Sequence, residues 1–430
     1  MRQLLLAVLI VAVSTPVLRR EASRHRDVRL FWLLVAALAF RMCATFGRDF
    51  VDFKLYGGAA DVSLYHQWAL EWAAKFGAGH FALGGHFPTG PYFIGLVTGA
   101  IYAVIGPDRQ GAALVFSWMG FWGLFCFYRA FVLTFPQARR RQYAALLFFL
   151  PSISFWTAGI GKDAWKLFAL GVLALGTAQL LSGRWRGIAL VAAGLLGSAV
   201  VRPQIAAMGA VAFAVSSVVH KARSRVRRLT PLVKVVSVAG AAVVAWVAVT
   251  SAIHYLQSSG VETGKGVAAA LEEASKKGQF GGSEFTPFIP TSPLLVLPAA
   301  VTVLYRPFIF EAGNIQAVAA AVEGSFLLYV TLTRSRRIRA GLRRIRRTPY
   351  VAFALVYSGL AIFAFSSIAN FGLLVRQRVQ LLPFMLVLLC VPSGQPPARP
   401  PATARRPSDS ARRPDRWGPR QVATDVGCTR

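Results

Sequence analysis

The sequence predicts an all-α protein that crosses a membrane several times. Hydrophobic residues make up 55% of its 430 residues, charged residues only 15%, and the mean hydropathy is +0.51. In a soluble domain, charged residues account for about a quarter of the total. The long apolar runs lack the alternation of a membrane β-barrel, and helices are the other structure that satisfies the backbone in lipid. A soluble globular domain is therefore excluded.

The apolar runs predict a polytopic bundle of about 10–12 helices, since about 20 helical residues cross the hydrocarbon. Residues 1–18 predict an uncleaved N-terminal anchor helix. Residues 30–392 form the predicted membrane domain, and the Pro- and Arg-rich residues 393–430 predict a disordered, basic cytoplasmic tail. The predicted spans lie at 30–47, 91–106, 111–135, 143–161, 164–181, 187–201, 204–219, 229–250, 315–333, 350–369 and 379–392.

The net charge of +31 is better explained by membrane topology than by a nucleic-acid partner, because the basic residues form short runs between apolar segments. Lys and Arg beside spans stay in the cytoplasm. Residues 48–90 and 251–314 then become two large external loops of a multi-pass plasma-membrane protein. The runs that predict this orientation, apart from the tail, are 19–29, 221–228 and 334–347.

The topology is ambiguous between residues 91 and 142. Counting spans from the two ends of the chain assigns this segment to different sides of the membrane. Either the basic run 139–141 is external, or one of the two apolar segments before it does not cross.

The first external loop contains an amphipathic stretch in which Asp61, Tyr65, Trp68 and Trp72 recur at helical spacing. This pattern predicts a helix at the membrane interface, with the aromatic rings at headgroup depth. Asp61 follows a glycine-rich approach, where its carboxylate could act as general base on an acceptor hydroxyl. An N-cap role for Asp61 is compatible with that chemistry.

The same loop is rich in further acids and histidines, whose side chains could ligate a divalent cation as cofactor. Loop histidines are more often solvated than metal-bound, and no other cofactor is indicated. The residues concerned are Asp49, Asp52, His66, His80 and His86.

Four further polar clusters adjoin helix breaks, and the charge rule assigns all of them to the external face. A carboxylate together with several cations is what transfer from an anionic lipid donor requires. The apolar stretch 294–304 is too short to span and predicts a re-entrant or interfacial helix before one of the clusters. The cluster residues are Lys162 and Asp163, Arg202, Arg306 and Glu311, and Arg376 and Arg378. Glu323, in an apolar helix, is a further functional candidate.

The order of these parts resembles the GT-C superfamily of membrane glycosyltransferases, in its protein mannosyltransferase-like, bacterial polysaccharide-associated members. The similar strings are "ALAFRM", "DVSLYHQWA", "GPYFIGLVTGAIYAVIG", "PSISFWTAGIGKD", "YRPFIFEAGN" and "FGLLVRQR". The resemblance implies a GT-C-like fold, a polyprenyl-phosphate sugar as donor and a catalytic role for Asp61. The chain departs from the pattern where many members carry a second acid, since Val62 follows Asp61.

The first functional hypothesis is a glycosyltransferase that moves a hexosyl or pentosyl group to a glycan or lipid-linked acceptor on the extracytoplasmic face. It would serve cell-surface polysaccharide or glycoconjugate synthesis. Asp61 would be the base, the arginines would hold the phosphate, and Lys162, Asp163 and Glu311 would shape the sugar site. The phosphate-holding residues would be Arg306, Arg376 and Arg378, with Arg202 as a further candidate.

Two alternatives use the same membrane setting. A polysaccharide polymerase of the O-antigen type would join whole repeat units through the same arginines and would tolerate loss of Asp61 better. A lipid-linked-sugar transporter or flippase would be favoured by inverted repeats, but the two halves of the chain show no self-similarity.

Overall fold

The computed structural model describes residues 1–392 except 56, 58–60, 83–86, 220–282, 289, 291, 344 and 346–347. In these ranges the chain is almost entirely helical and has no strand, so the all-α prediction is confirmed. The region Met1–Ser393 forms one compact unit. The predicted span at 229–250, the basic run at 221–228 and the tail at 393–430 lie outside the described residues.

Sixteen α-helices form in the described ranges, and a π-helical turn at Val51–Leu55 extends the second of them. They are α1 (Arg2–Arg24), α2 (Val28–Phe50), α3 (Asp61–Gly77), α4 (Pro91–Ile105), α5 (Arg109–Thr134), α6 (Arg140–Phe149), α7 (Pro151–Trp156), α8 (Lys162–Leu181), α9 (Gly187–Val201), α10 (Pro203–Val219), α11 (Val296–Tyr305), α12 (Ile315–Thr333), α13 (Ser335–Arg343), α14 (Pro349–Phe365), α15 (Phe371–Arg378) and α16 (Leu382–Cys390).

Five described helices are long and apolar enough to cross a membrane: α1, α2 with its π turn, α5, α8 and α12. A sixth span results if α15 and α16, bent by 58°, are counted together. Other apolar helices, including α4, α9, α10, α11 and α14, are shorter. The chain is thus a helical membrane protein, although fewer of the described helices have full spanning length than the apolar runs predict.

Two predicted segments differ in their bounds. The anchor helix predicted at 1–18 continues to Arg24 and packs on α2 and α5. The span predicted at 143–161 is divided into α6 and α7 because Pro151 starts a new helix, and residues 157–161 are irregular. Proline lacks the amide that would continue the helical hydrogen bonds, which explains the division.

Three basic segments meet at one end of the unit, which we call the basic end. Arg141 Nε at the start of α6 lies 2.9 Å from Oδ2 of Asp27, just before α2. Arg337 of α13 donates from Nη1 to Gln142 Oε1 at 3.4 Å. The segments gathered in this way are 19–29, 139–141 and 334–343.

The opposite end, called the site end below, holds the C-terminus of α2 and the N-terminus of α8. Arg48, near the end of α2, donates to the carbonyl of Trp156, the last residue of α7. Lys162 opens α8 shortly afterwards. Because α2 and the α6–α7 pair meet at both ends, they run the length of the unit.

Helix α4 begins and ends at the site end. The amide of Gly90, just before α4, donates to the carbonyl of Val200 at 2.7 Å, and Val200 lies near the end of α9, beside the start of α8. Just after α4, Arg109 Nη2 lies 3.1 Å from Asp49 Oδ1 at the end of α2. The segment predicted to span at 91–106 therefore does not run the length of the unit. This resolves the ambiguous topology, since α5 alone carries the chain to the basic end.

Glycines allow α5, α8 and α9 to pack backbone against backbone. A Cβ added at Gly171 of α8 would overlap the carbonyl oxygen of Gly123 in α5, and one added at Gly194 of α9 would meet the backbone of Leu173. Small residues are the usual means of close helix approach in membranes, where burial from water does not drive association. These contacts fix the position of α8, which carries much of the candidate site.

We expect Gly171→Ala to lower the free energy of unfolding by about 1–3 kcal/mol, because the new methyl group overpacks the α5–α8 contact. Thermal unfolding of the purified protein in detergent measures this. Gly359→Ala is the matched control, because no atom lies within 4 Å of a Cβ at that helical position. Equal midpoints for the two variants would contradict the close packing.

Single cysteines at Thr89 and Arg139, in a chain whose four native cysteines are replaced, test the path of α4 and α5. Both side chains are exposed and flank the pair of helices. We expect an impermeant maleimide to label the two positions from opposite sides of the membrane, because only α5 crosses. Labelling of both from the same side would show that α4 crosses as well.

Candidate functional site

A buried arginine fixes the irregular segment that leads into the site. Arg41 of α2 is 1% exposed; its Nε donates to the Ser117 carbonyl at 2.7 Å, and its Nη2 donates to the Thr157 carbonyl at 2.7 Å. Both acceptors lie in the interior, where an unpaired guanidinium would be costly. The break between α7 and α8 is therefore held against α2 and α5, and α8 begins at a defined place.

The carboxylate of Asp163 is the centre of the site. Its side chain is 6% exposed and lies between two cations, with Lys166 Nζ 2.9 Å from Oδ1 and Arg376 Nε 2.5 Å from Oδ2. Lys166 also donates to Gln377 Oε1 at 3.2 Å. A buried charge is tolerated only when it is paired and hydrogen-bonded. These contacts therefore tie α15 to the start of α8.

Asp61 is the accessible carboxylate of the same cluster. Its side chain is 48% exposed, and its Oδ2 lies 3.6 Å from Lys162 Nζ and 3.7 Å from Arg376 Nη2. The hydroxyl of Tyr65, one turn along α3, donates to the same oxygen at 3.4 Å. Arg376 thus contacts both carboxylates, one buried and one open to a ligand.

Tyr65 is held as a proton donor. Burial raises the pKa of its phenol well above the ordinary value, and the negative charge of Asp61 raises it further, while Arg376 and Arg202 act in the opposite direction. The phenol therefore stays protonated near neutral pH and can donate to Asp61. Asp61 is the first residue of α3, but residues 58–60 are not described, so its N-cap role stays a prediction.

Arg202 lines a cavity of about 410 Å³ next to the cluster. It lies between α9 and α10, as its sequence position predicts, and shares the cavity with Gln204 and with Gln377 of α15. The remaining wall is apolar and comes mostly from α10 and α14, including Met208 and Phe363. We call this space the Arg202 cavity.

The described cluster carries a surplus of positive charge. Asp61 and Asp163 face four cations, because Arg202 acts electrostatically on Tyr65 together with Arg376. The cations are Lys162, Lys166, Arg202 and Arg376. Since four cations and two carboxylates leave a net charge of +2, the arrangement favours an anionic ligand.

Arg306 and Glu311 lie apart from this cluster and pair with each other. Arg306 Nε lies 2.9 Å from Glu311 Oε1, and its guanidinium lies over the rings of Phe285 and Phe371 at 4.5 and 5.3 Å. Burial by itself raises the pKa of Glu311, but hydrogen bonds from Arg306 and from the Phe308 amide outweigh it and leave the pKa lowered. Arg306 and Glu311, both predicted to contact substrate, therefore do not contact Asp61 in this structure.

Arg378 also lies apart, although it is close to Arg376 in sequence. It is fully buried, and its Nη1 donates to the carbonyls of Leu304 and Arg306 at 3.0 and 2.9 Å. These carbonyls terminate α11, so the contact stabilises the end of that helix. The contact of Arg378 with a ligand phosphate stays a prediction.

Three of the five residues considered as metal ligands make other contacts, His80 is exposed, and one residue is not described. Asp49 pairs with Arg109, Asp52 pairs with Arg48, and His66 Nδ1 lies 2.7 Å from the Tyr102 hydroxyl. His86 lies outside the described residues. Among the residues that the structure covers, no three His, Cys, Asp or Glu side chains form a group that could hold a metal ion.

Two further residues of the site, Lys166 and Gln377, were not predicted from the sequence. Lys166 follows Asp163 at helical spacing in "KDAWK", a pattern that places both side chains on one face of a helix. That spacing was a usable signal. Gln377 carried no signal, because its role depends on how α15 lies against α8.

A scan of protein-family models, a search of curated proteins and a search of solved structures find no match to this chain.

The His66–Tyr102 contact joins α3, which carries Asp61, to α4. Burial first, and the charge of Arg109 second, lower the pKa of His66 below 6.5. At His66, the unfolded chain then binds a proton more readily than the folded one. The contribution of His66 to the free energy of unfolding is therefore fully present above pH 6.5 and is lost as the pH falls below that value. We expect the thermal midpoint of the wild type to fall below pH 6.5 more steeply than that of His66→Gln. Parallel curves would contradict the assignment.

Proposed function

We propose that this membrane protein is a glycosyltransferase that moves a sugar from a polyprenyl-phosphate donor to a glycan or lipid-linked acceptor. The observation that carries the proposal is the half-exposed carboxylate of Asp61 beside Lys162 and Arg376. The carboxylate can accept a proton, and the two adjacent cations can stabilise the negative charge of a leaving phosphate.

The Arg202 cavity supports a lipid-borne donor. Its polar residues, Arg202 and Gln377, adjoin the cluster, whereas its other wall is apolar. Guanidinium groups bind phosphate oxygens in a bidentate manner, and an isoprenoid chain requires an apolar surface. A lipid phosphate combines these two properties in one ligand.

The proposed reaction inverts the configuration at the sugar. Asp61 accepts the proton of the acceptor hydroxyl while that oxygen forms a bond to C1 of the donor sugar. The bond between C1 and the phosphate oxygen breaks, and its electron pair leaves on the polyprenyl phosphate. Lys162, Arg202 and Arg376 would stabilise that charge, and Tyr65 would hold the Asp61 carboxylate in position.

The position of the site supports chemistry on the extracytoplasmic face. The cluster lies at the site end, whereas the described basic segments 19–29, 139–141 and 334–343 gather at the basic end. Because basic segments remain in the cytoplasm, the cluster would face the other side. Polysaccharide or glycoconjugate synthesis at the cell surface takes place there.

We expect Asp61→Asn to lower sugar transfer about 10²–10⁴-fold, because the amide cannot accept the acceptor proton. Membranes or nanodiscs that contain the variant are assayed with labelled polyprenyl-phosphate sugars and an envelope glycan extract. Glu71→Gln is the matched control, since Glu71 is an exposed acid on the same helix. Full transfer by Asp61→Asn would remove the catalytic role, and a polymerase that relies on its arginines would then be favoured.

A further inference from the structure

A second cavity, of about 220 Å³, lies on the other side of α15 from the Arg202 cavity. We call it the Glu323 cavity. Val375 lines it, whereas Gln377, two residues later, lines the Arg202 cavity. Arg376, between them in sequence, reaches both carboxylates of the cluster. One short helix therefore separates the two cavities and contacts the proposed catalytic group.

Glu323 is a buried carboxylate that the proposed chemistry does not use. It is 5% exposed, and it accepts hydrogen bonds from the Ser152 amide at 2.6 Å and the Ser152 hydroxyl at 2.5 Å. A carboxylate has about four acceptor positions, so both of its oxygens keep further capacity. Carboxylates in membrane helices generally face a cavity or a substrate path. Here Glu323 lines the cavity that bears its name.

Two other polar groups line this cavity without using their hydrogen-bonding capacity. The side-chain amide of Gln316 and the indole N–H of Trp156 make no hydrogen bond to any residue in the described ranges. Phe155 packs edge-on against Trp156, with ring centroids 5.2 Å apart. The cavity thus combines a carboxylate, an amide and an indole donor with aromatic surface.

The two cavities differ in the charge of their lining, and this difference favours different ligands. Glu323 is the one charged residue among the described lining of its cavity, whereas Arg202 has that position in the other. A carboxylate in a low-dielectric wall repels a phosphate. It accepts hydrogen bonds from hydroxyl groups, the amide can donate or accept, and aromatic rings pack against the C–H faces of a sugar. A neutral carbohydrate ring matches these groups.

We propose that the Glu323 cavity binds a neutral sugar ring of the acceptor glycan. This inference rests on the proposed transferase function and assigns its acceptor a second contact. The ring bound beside Glu323 and Gln316 is not the reacting one. It holds the glycan so that a neighbouring hydroxyl reaches Asp61 around α15, while the phosphate donor occupies the Arg202 cavity.

Photolabelling in nanodiscs tests the assignment without any turnover. The probes are alkyl glycosides of neutral hexoses with a diazirine on the chain next to the sugar, and the same diazirine chain ending in a hydroxyl. We expect the glycosides to label peptides that contain residues 151–156 and 315–323. An excess of soluble neutral oligosaccharide should reduce the labelling, and inorganic phosphate should not.

Glu323→Gln should lower glycoside labelling about tenfold, because it removes hydrogen bonds to a charged acceptor. Gln316→Ala should also lower it and leaves the Glu323–Ser152 contacts intact, so the test stands even if Glu323→Gln unfolds. Asp61→Asn should label like the wild type, which separates this test from that of transfer.

Equal labelling by the sugar-free probe, or labelling unaffected by oligosaccharide, would overturn the proposal and assign the cavity to a lipid chain. Absence of labelling at both peptides would also overturn it. Either result would leave the proposed transferase function untouched, because that depends on Asp61 and the Arg202 cavity.

Discussion

The arrangement of the site depends on one buried carboxylate. Asp163 lies between Lys166 and Arg376, and these contacts join the start of α8 to α15, which is distant in sequence. Neither a free carboxylate nor free cations would be tolerated at this depth, so the three groups are stable only together. Because Arg376 is held in this way, its Nη2 faces Asp61, and Gln377 is directed towards the Arg202 cavity.

The two ends of the unit differ in the chemistry of their side chains. Described basic segments gather at one end, where Arg141 pairs with Asp27 and the buried Glu21 pairs with Arg24 and Arg129. The other end carries acids and cations in close contact, next to two cavities of different charge. A phosphate-bearing lipid and a neutral glycan could therefore approach the same carboxylate from different sides of α15. In the proposed reaction, this division would keep donor and acceptor apart until transfer.

Composition and periodicity predicted most helices, and the helix breaks indicated that Asp61, Lys162 and Arg376 belong together. Composition could not show that α4 stays at one end, because an apolar helix looks the same whether it crosses or packs locally. Arg378 was grouped with Arg376 by sequence distance, yet two helical residues turn by about 200°, so the side chains point apart. The pairing of Arg306 with Glu311 could not be predicted, because it depends on how the loop between them folds.

Asp163 and Arg376 interact directly and hold α8 against α15. A double-mutant cycle of Asp163→Asn and Arg376→Gln, read from unfolding in detergent, measures that interaction. We expect a coupling free energy of about 0.5–3 kcal/mol, because either single change removes the direct contact and the double change removes it only once. Additive effects of the two changes would contradict the contact, and with it the assembly of the site around Asp61.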